Sequence, residues 1–346
     1  MSTLSTQFIL NRLRKVVASS LLAPMLLLLA LLSPQDARAD VCTAAMTDIS
    51  FGNVSPISGQ DYLASGTLSI TCTFVILQGN IILLPTISAC ASLGAGSGAI
   101  DVNARSLSHG AVRIPFNLYR EPTYSLANVW GGYVDKTAIT SVFAGLLAIG
   151  TNTQTYPVYA KIAAADLAGA ATVANADTTY GTDFTGAGTL NYTSASILVL
   201  NCHLSGTVAP FSFNVRANVV NDCRINTTPV AFGSQGILNT TTRAVGSVVI
   251  KCTASNAYRI ALNGGTVSQL SHARKMKNPV TGETVDYRLS ASLDGPEWGD
   301  GTSGTSTYDA TGTGATQTVS IYGRVPSQRT PSPGSYADKV TATIYF

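Results

Sequence analysis

The 346-residue sequence predicts an all-β chain of two tandem β-sandwiches, the N-terminal one complete and the C-terminal one lacking its last strand. Three observations carry that prediction. Only 11% of residues are charged, and short alternating runs recur between punctuation drawn from 31 glycines, 14 prolines and many asparagines, the pattern of a sandwich of short strands. One motif occurs twice: Cys42 is followed nine residues later by Phe51-Gly52 and then by Cys72, and Cys223 is followed nine residues later by Phe232-Gly233 and then by Cys252. The repeat marks two homologous modules in one chain. Finally, the first module runs on past its closing element through Ile197-Leu198-Val199-Leu200 to Cys202, enough for a strand of its own, whereas the second stops at Phe346 directly after its last alternating run.

The elements follow in chain order. Arg12, Arg14 and Lys15 precede an apolar run from Leu21 to Leu32 and then Ala37-Arg38-Ala39, the layout of a secretory signal over residues 1–39 with the mature chain starting at Asp40. The apolar run is too short to span a bilayer. Without that leader, 21 − 4 = 17 basic residues balance 18 − 1 = 17 acidic ones, so the chain lacks the basic excess of a nucleic-acid binder. Strands are expected at Thr67 to Cys72, near Ile81 to Leu84, and, most clearly, at Phe211 to Val219, where Phe211, Phe213, Val215, Ala217 and Val219 alternate with polar residues. In the second module they are expected at Val245 to Cys252, Tyr258 to Leu262, Thr318 to Val325 and Lys339 to Phe346. Gly206 and Pro210 interrupt two strand-like runs, which puts the boundary between modules of residues 40–205 and 206–346.

All six cysteines follow the leader, where export favours disulfides. The repeat singles out Cys42 with Cys72, Cys223 with Cys252, and the unmatched Cys90 with Cys202. Each repeated bridge closes a loop of about 30 residues and contributes roughly 3 to 4 kcal/mol in the chain-entropy model. No C-x-x-C spacing supports a metal, no cofactor motif is present, and no G-x-S-x-G elbow or recognisable histidine constellation supports a secreted hydrolase. "DGPEWGDG" (Asp294 to Gly301) reads as a turn rather than a calcium loop.

The echo extends further. Phe116-Asn117-Leu118-Tyr119 and Trp130-Gly131 answer Tyr287-Arg288-Leu289 and Trp298-Gly299; Tyr156 to Ile162 answers Val319 to Val325; and the second copy closes on "PGSYADKVTATIYF" (Pro333 to Phe346), kept in the first only as Tyr180 to Ser194. This set of motifs resembles the spore coat protein U-like domain, best known in archaic chaperone-usher pili of Gram-negative bacteria. The resemblance is close across the second copy and looser in the first. It implies incomplete immunoglobulin-like sandwiches whose missing strand comes from another chain, first a periplasmic pilus chaperone and then a neighbouring pilin added at an outer-membrane usher. An open groove edge exposes unpaired backbone and core, which fits that need for a partner strand. Val340, Ala342, Ile344 and Phe346, with Val215 opposite, are expected to line the acceptor groove, and the Phe346 carboxylate to be held by the chaperone. Family shaft pilins carry a donor segment before their first cysteine, and only Asp40 and Val41 precede Cys42 here, so the expected place is the pilus tip at the cell surface.

The modules differ most in three inter-strand segments that are polar in the second copy and apolar in the first. Phe74, Val75, Ile76 and Leu77 stand where the second copy has Thr253 to Asn256; Val142, Phe143, Leu146, Leu147 and Ile149 answer a Gly/Thr-rich stretch; and the alanine-rich segment around Leu167 answers "PSQRTPSPG". As exposed fingers these residues would bind a hydrophobic surface or host receptor and support biofilm formation. As strands they would be core. A glycan-binding tip or a structural shaft subunit is the alternative function.

Overall fold

A computed structural model describes residues 40–74, 86–132, 137–144, 150–195 and 206–346. The described chain is nearly all β. The first half contributes β1 (Val41–Met46), β2 (Ile49–Val54), β3 (Tyr62–Phe74), β4 (Thr86–Leu93), β5 (Ser106–His109), β6 (Val112–Pro115), β7 (Asn117–Tyr119), β8 (Ile139–Ala144), β9 (Gly150–Ile162), β10 (Thr178–Asp183), β11 (Gly188–Ala195), β12 (Thr207–Phe211) and β13 (Asn214–Val219). The second contributes β14 (Cys223–Thr228), β15 (Thr242–Cys252), β16 (Ala257–Leu262), β17 (Lys275–Lys277), β18 (Thr284–Asp286), β19 (Arg288–Ser290), β20 (Tyr308–Thr311), β21 (Thr316–Val325) and β22 (Ala342–Tyr345).

The sheets repeat as the sequence does. In the first unit the order β1-β3-β9-β7 faces β2-β13-β10-β5-β6 and β12-β11-β4-β8 across one core; in the second, β14-β15-β21-β19 faces β20-β16-β22 and the small pair β17-β18. Alternation explains the strands. Along β3, Leu68, Ile70, Cys72 and Phe74 are buried while Ser69, Thr71 and Thr73 point outward, and β15 and β21 alternate in the same way. The disulfides Cys42–Cys72 and Cys223–Cys252 each join directly paired residues at the head of the first strand. Cys90 is buried and disulfide-bonded; Cys202, its expected partner, lies outside the described residues.

A buried staple, not anticipated from the sequence, is built twice. The Trp130 indole donates to the Ala91 carbonyl (3.0 Å) and that of Trp298 to Ile260 (2.9 Å). Beside each sits a buried arginine: Arg105 donates to the carbonyls of Leu93, Gly94 and Trp130, and Arg274 to those of Leu262 and Asn263. Desolvation lowers the Arg105 pKa to about 9, so the guanidinium stays cationic at neutral pH and keeps its donors.

Strand pairing does not follow the expected division at 205/206. β12 pairs with β11, and β13 lies between β10 (antiparallel) and β2 (parallel), all strands of the first unit. Residues 207–219 therefore close the first sandwich, and the segment from Ile197 to Cys202, expected to do so, lies outside the described residues. Val215 is correspondingly a core residue of the first unit, not part of a groove in the second. Phe211, Phe213, Val215, Ala217 and Val219 all point inward, and Phe211 and Phe213 stack on Trp130. Only Val220, Asn221 and Asp222 separate β13 from β14. The junction is polar: the buried Thr172 donates to the buried Asn256 and Asn256 to Asn221, while at its exposed rim the Asn175 amide both accepts from the Ala257 N–H and donates to its carbonyl. Ser55 also donates to Asp222 (2.6 Å).

Burying the four large inward side chains of 207–219, Phe211, Phe213, Val215 and Val219, contributes roughly 6 to 12 kcal/mol gross, at about 1.5 to 3 kcal/mol each. That is the size of a whole domain's net stability. A fragment of residues 40–220 is therefore expected to unfold cooperatively in urea by far-UV circular dichroism, and one of residues 40–205 to show no cooperative transition.

Candidate functional site

The slot that β12 and β13 fill in the first unit is open in the second. The Phe-Gly motif fixes the correspondence: both glycines adopt left-handed φ (Gly52 66°, Gly233 69°), a conformation that favours glycine. Phe51-Gly52 lies on β2, whose edge pairs with β13; Val230 to Gly236 joins no ladder. The Trp staples align Ala91 with Ile260, which pair respectively with Leu190 on β11 and Ile344 on β22. β11 is flanked by β4 and β12, whereas β22 has β16 on one side and no strand on the other among the described residues. Among the described residues, neither the outer edge of β22 nor the 230–236 segment is paired with a strand, as their counterparts in the first unit are.

Two adjoining cavities of about 800 and 380 Å³ occupy this slot. They are lined by Val230 and Phe232 on one wall, Met276 and Tyr287 on the floor, and Tyr336 and Val340 on the other wall. The Tyr287 phenol donates to Asp338 (2.7 Å), and Thr266 and Val267 N–H groups donate to the other carboxylate oxygen, which pins the wall at 336–340. Burial and the Asp338 hydrogen bond raise the Tyr287 pKa, so the phenol remains a donor. Among the described residues no ring stacks on Trp298 as Phe211 and Phe213 stack on Trp130; Trp298 makes a tilted ring contact with Tyr308 (5.6 Å).

Of the expected groove residues, Val340, Ala342 and Ile344 are half-buried and pack on the second core, with Val340 and Ala342 lining the slot; Phe346 is 50% exposed at the end of its wall. Val230, Phe232, Met276, Tyr287 and Tyr336 went unrecognised in the sequence. The signal was present in the Phe-Gly repeat, because Phe232 stands where Phe51 flanks the closing strand.

The expected apolar fingers divide. Phe74, Phe143 and Leu167 are core residues, 5%, 1% and 1% exposed, because Phe74 ends β3, Phe143 lies on the inner face of β8 and Leu167 on a single helical turn (Ala164–Leu167) turned into the core. Their role as exposed fingers is therefore corrected. Val142 is half-buried on β8, its carbonyl accepting from Gln154. Val75, Ile76, Leu77, Leu146, Leu147 and Ile149 lie outside the described residues. The described ends bounding them meet at one pole of the first unit: Phe74 pairs with Gly150, and Thr86 with Ala144 and Ala195. That pole is remote from the second unit, because β3 starts at Tyr62, whose hydroxyl holds Ser55 at the junction, and runs 13 residues, roughly 43 Å, before Phe74.

The Spore Coat Protein U domain model matches residues 28–201 and again 209–343. Among solved structures, the chain is similar to one of the CsuC-CsuE chaperone-tip adhesion subunit pre-assembly complex from Csu pili of Acinetobacter baumannii, with 14% identity over 88% of this chain and 100% of that chain and a TM-score of 0.48. It is also similar to a chain of a chaperone-tip adhesin complex of CFA/I fimbriae (11% identity, 87% and 94% covered, TM-score 0.30) and to the enterotoxigenic E. coli adhesin CfaE (12%, 87% and 91%, 0.29). No curated protein matches the chain.

An unfilled slot leaves amides unprotected. In hydrogen exchange on the isolated chain, residues 49–54 are expected to be protected at least about a thousandfold more than residues 230–236. Equal protection of the two segments would mean that the slot is closed.

Proposed function

The chain belongs to the spore coat protein U domain family, and from that premise we propose that it is the tip adhesin of an archaic chaperone-usher pilus, not an enzyme. One observation carries the reading: two homologous sandwiches share a chain, and the strand slot filled in the first is open in the second. The second family match begins at residue 209, so the strand that closes the first sandwich belongs by sequence to the second repeat. The junction thus reproduces inside one polypeptide the relation between neighbouring pilins, in which one subunit's leading segment completes another. The second slot takes its strand from a periplasmic chaperone and then, at the outer-membrane usher, from the next pilin. Secretion through the periplasm and a place at the fibre tip follow from this reading.

The adhesive surface is assigned to the pole remote from the junction, through the segments carrying Val75, Ile76, Leu77, Leu146, Leu147 and Ile149. Two arguments support it. These segments are apolar where the second copy is polar. Moreover, the homologous pole of the second unit, around Thr253 to Ala257, is the surface on which it carries the first unit. Burying about 300 Å² of apolar surface contributes roughly 7 kcal/mol gross at about 25 cal/mol per Å². Part of that is lost to immobilisation, and many fibres together make up attachment to hydrophobic surfaces and biofilm growth.

Immunogold labelling is expected at fibre ends; label along the shaft would sink the tip assignment. Val340→Asp, which puts a carboxylate into the slot, is expected to cut co-purification with the chaperone at least about tenfold, and deletion of Ile344 to Phe346 to abolish export. A Leu146→Asp, Leu147→Asp variant is expected to assemble normal fibres that no longer attach to polystyrene.

A further inference from the structure

The wall that the closing strand joins can be aligned between the two units at two independent places. The tryptophan staples match Leu190 with Ile344. The buried arginines match Gly181 with Ala337: three residues after Arg105, Ser108 pairs with Gly181, and three residues after Arg274, Lys277 bridges to Ala337. Leu190 follows Gly181 by nine positions, whereas their partners on the closing segment, Ala209 and Arg216, are seven apart, and Ile344 follows Ala337 by seven. The first wall is thus two residues longer than the segment it pairs with. It sheds them in a turn between β10 and β11, where the Ala187 N–H donates to the Phe184 carbonyl (3.0 Å). The second wall carries no surplus.

Both anchors therefore give one and the same register for a strand entering antiparallel to residues 334–346. Alternation along that wall is unbroken: Tyr336, Val340, Ala342 and Ile344 pack on the second core and Asp338 turns in to Tyr287, while Ala337, Lys339, Thr341, Thr343 and Tyr345 are exposed. In this register Ala217, Val215, Phe213, Phe211 and Ala209 of the first unit mark the places opposite Tyr336, Asp338, Val340, Ala342 and Ile344. One place differs in the room it leaves. Phe211 lies opposite Gly188, where a Cβ would stand 2.7 Å from the Phe211 ring and closer still to its carbonyl oxygen. Ala342 has that Cβ, and it lines the smaller cavity of the slot. A ring at this place in the second unit overpacks the site.

We propose that the second slot selects an unbroken strand of 13 residues, paired along Gly334 to Phe346, that is apolar at the five places opposite Tyr336, Asp338, Val340, Ala342 and Ile344 and carries no ring opposite Ala342. The inference rests on the strand-accepting reading above and specifies the leading segment that a neighbouring pilin brings. The chain's own closing segment, Thr207 to Val219, has Phe211 at the excluded place, so a second copy of this chain is a poor donor to the slot. Gly188 and Ala342 thereby keep the two slots from exchanging strands.

The test titrates the full mature chain with two synthetic peptides, residues 207–219 and the same peptide carrying Phe211→Ala, reading affinity by calorimetry and the site by hydrogen exchange. The Phe211→Ala peptide is expected to bind at least about tenfold more tightly than the parent peptide, although it is the less apolar of the two. It is also expected to protect residues 230–236 and 341–346 together. In an Ala342→Gly chain the preference is expected to vanish or reverse. Equal binding of the two peptides by the unaltered chain would overturn the inference, and so would a preference kept in full by the Ala342→Gly chain. Protection of 230–236 without 341–346 would overturn it as well, because the strand would then stop short of β22, and would leave the slot itself standing. Protection of neither segment by either peptide would overturn the inference and the strand-accepting reading together.

Discussion

The structure depends on one constraint, that every strand edge facing a sandwich core must be paired. In the first unit β13 satisfies it from both sides, antiparallel to β10 and parallel to β2, and the same strand drives Val215, Ala217 and Val219 into the core. The backbone hydrogen bonds and the apolar burial are supplied together by one segment. Where the segment is missing, in the second unit, both are missing together: the Phe232 and Tyr336 walls stand apart over a cavity, and Trp298 lacks the phenylalanines that cover Trp130. That vacancy leaves strand edges and core side chains that an added strand would pair and cover.

The rest of each unit is arranged to hold the slot's shape whether or not it is filled. The arginine and tryptophan staples fix β4 and β16 to the turns that follow the aromatic elements, and they act through backbone carbonyls that tolerate sequence change elsewhere. In the second unit Asp338, held by Tyr287 and two backbone N–H groups, keeps one wall in place. The junction is rigid for a similar reason. Asn256 is fully buried and bonded to both Thr172 and Asn221, so separating the units would expose polar groups that satisfy one another, and only three residues link β13 to β14. The pole at which Phe74 pairs with Gly150 is therefore held away from the second unit.

Particular residues show how much of this could be read in advance. The alternation Phe211, Phe213, Val215, Ala217, Val219 gave a strand with one buried face, and the structure has that strand with those residues inward. It gave no indication which core receives them, because the alternation is a local property and the pairing with β2 and β10 reaches back to residues 49–54 and 178–183. Phe74, Phe143 and Leu167 failed for the complementary reason. An apolar residue at a strand end reads the same whether its side chain turns in or out, and strand length decides: β3 reaches Phe74 with its buried phase intact.

The sequence by itself determined the all-β class, the duplication, the pairing of Cys42 with Cys72 and Cys223 with Cys252, and the strands that alternate cleanly, because each of these is written in residue spacing. Only the tertiary structure decided that residues 207–219 complete the first sandwich and that the homologous slot of the second lies between Val230 and Tyr336. Strand completion joins segments more than 150 residues apart, and its energy comes from backbone pairing and core burial that exist only once the sheets have met.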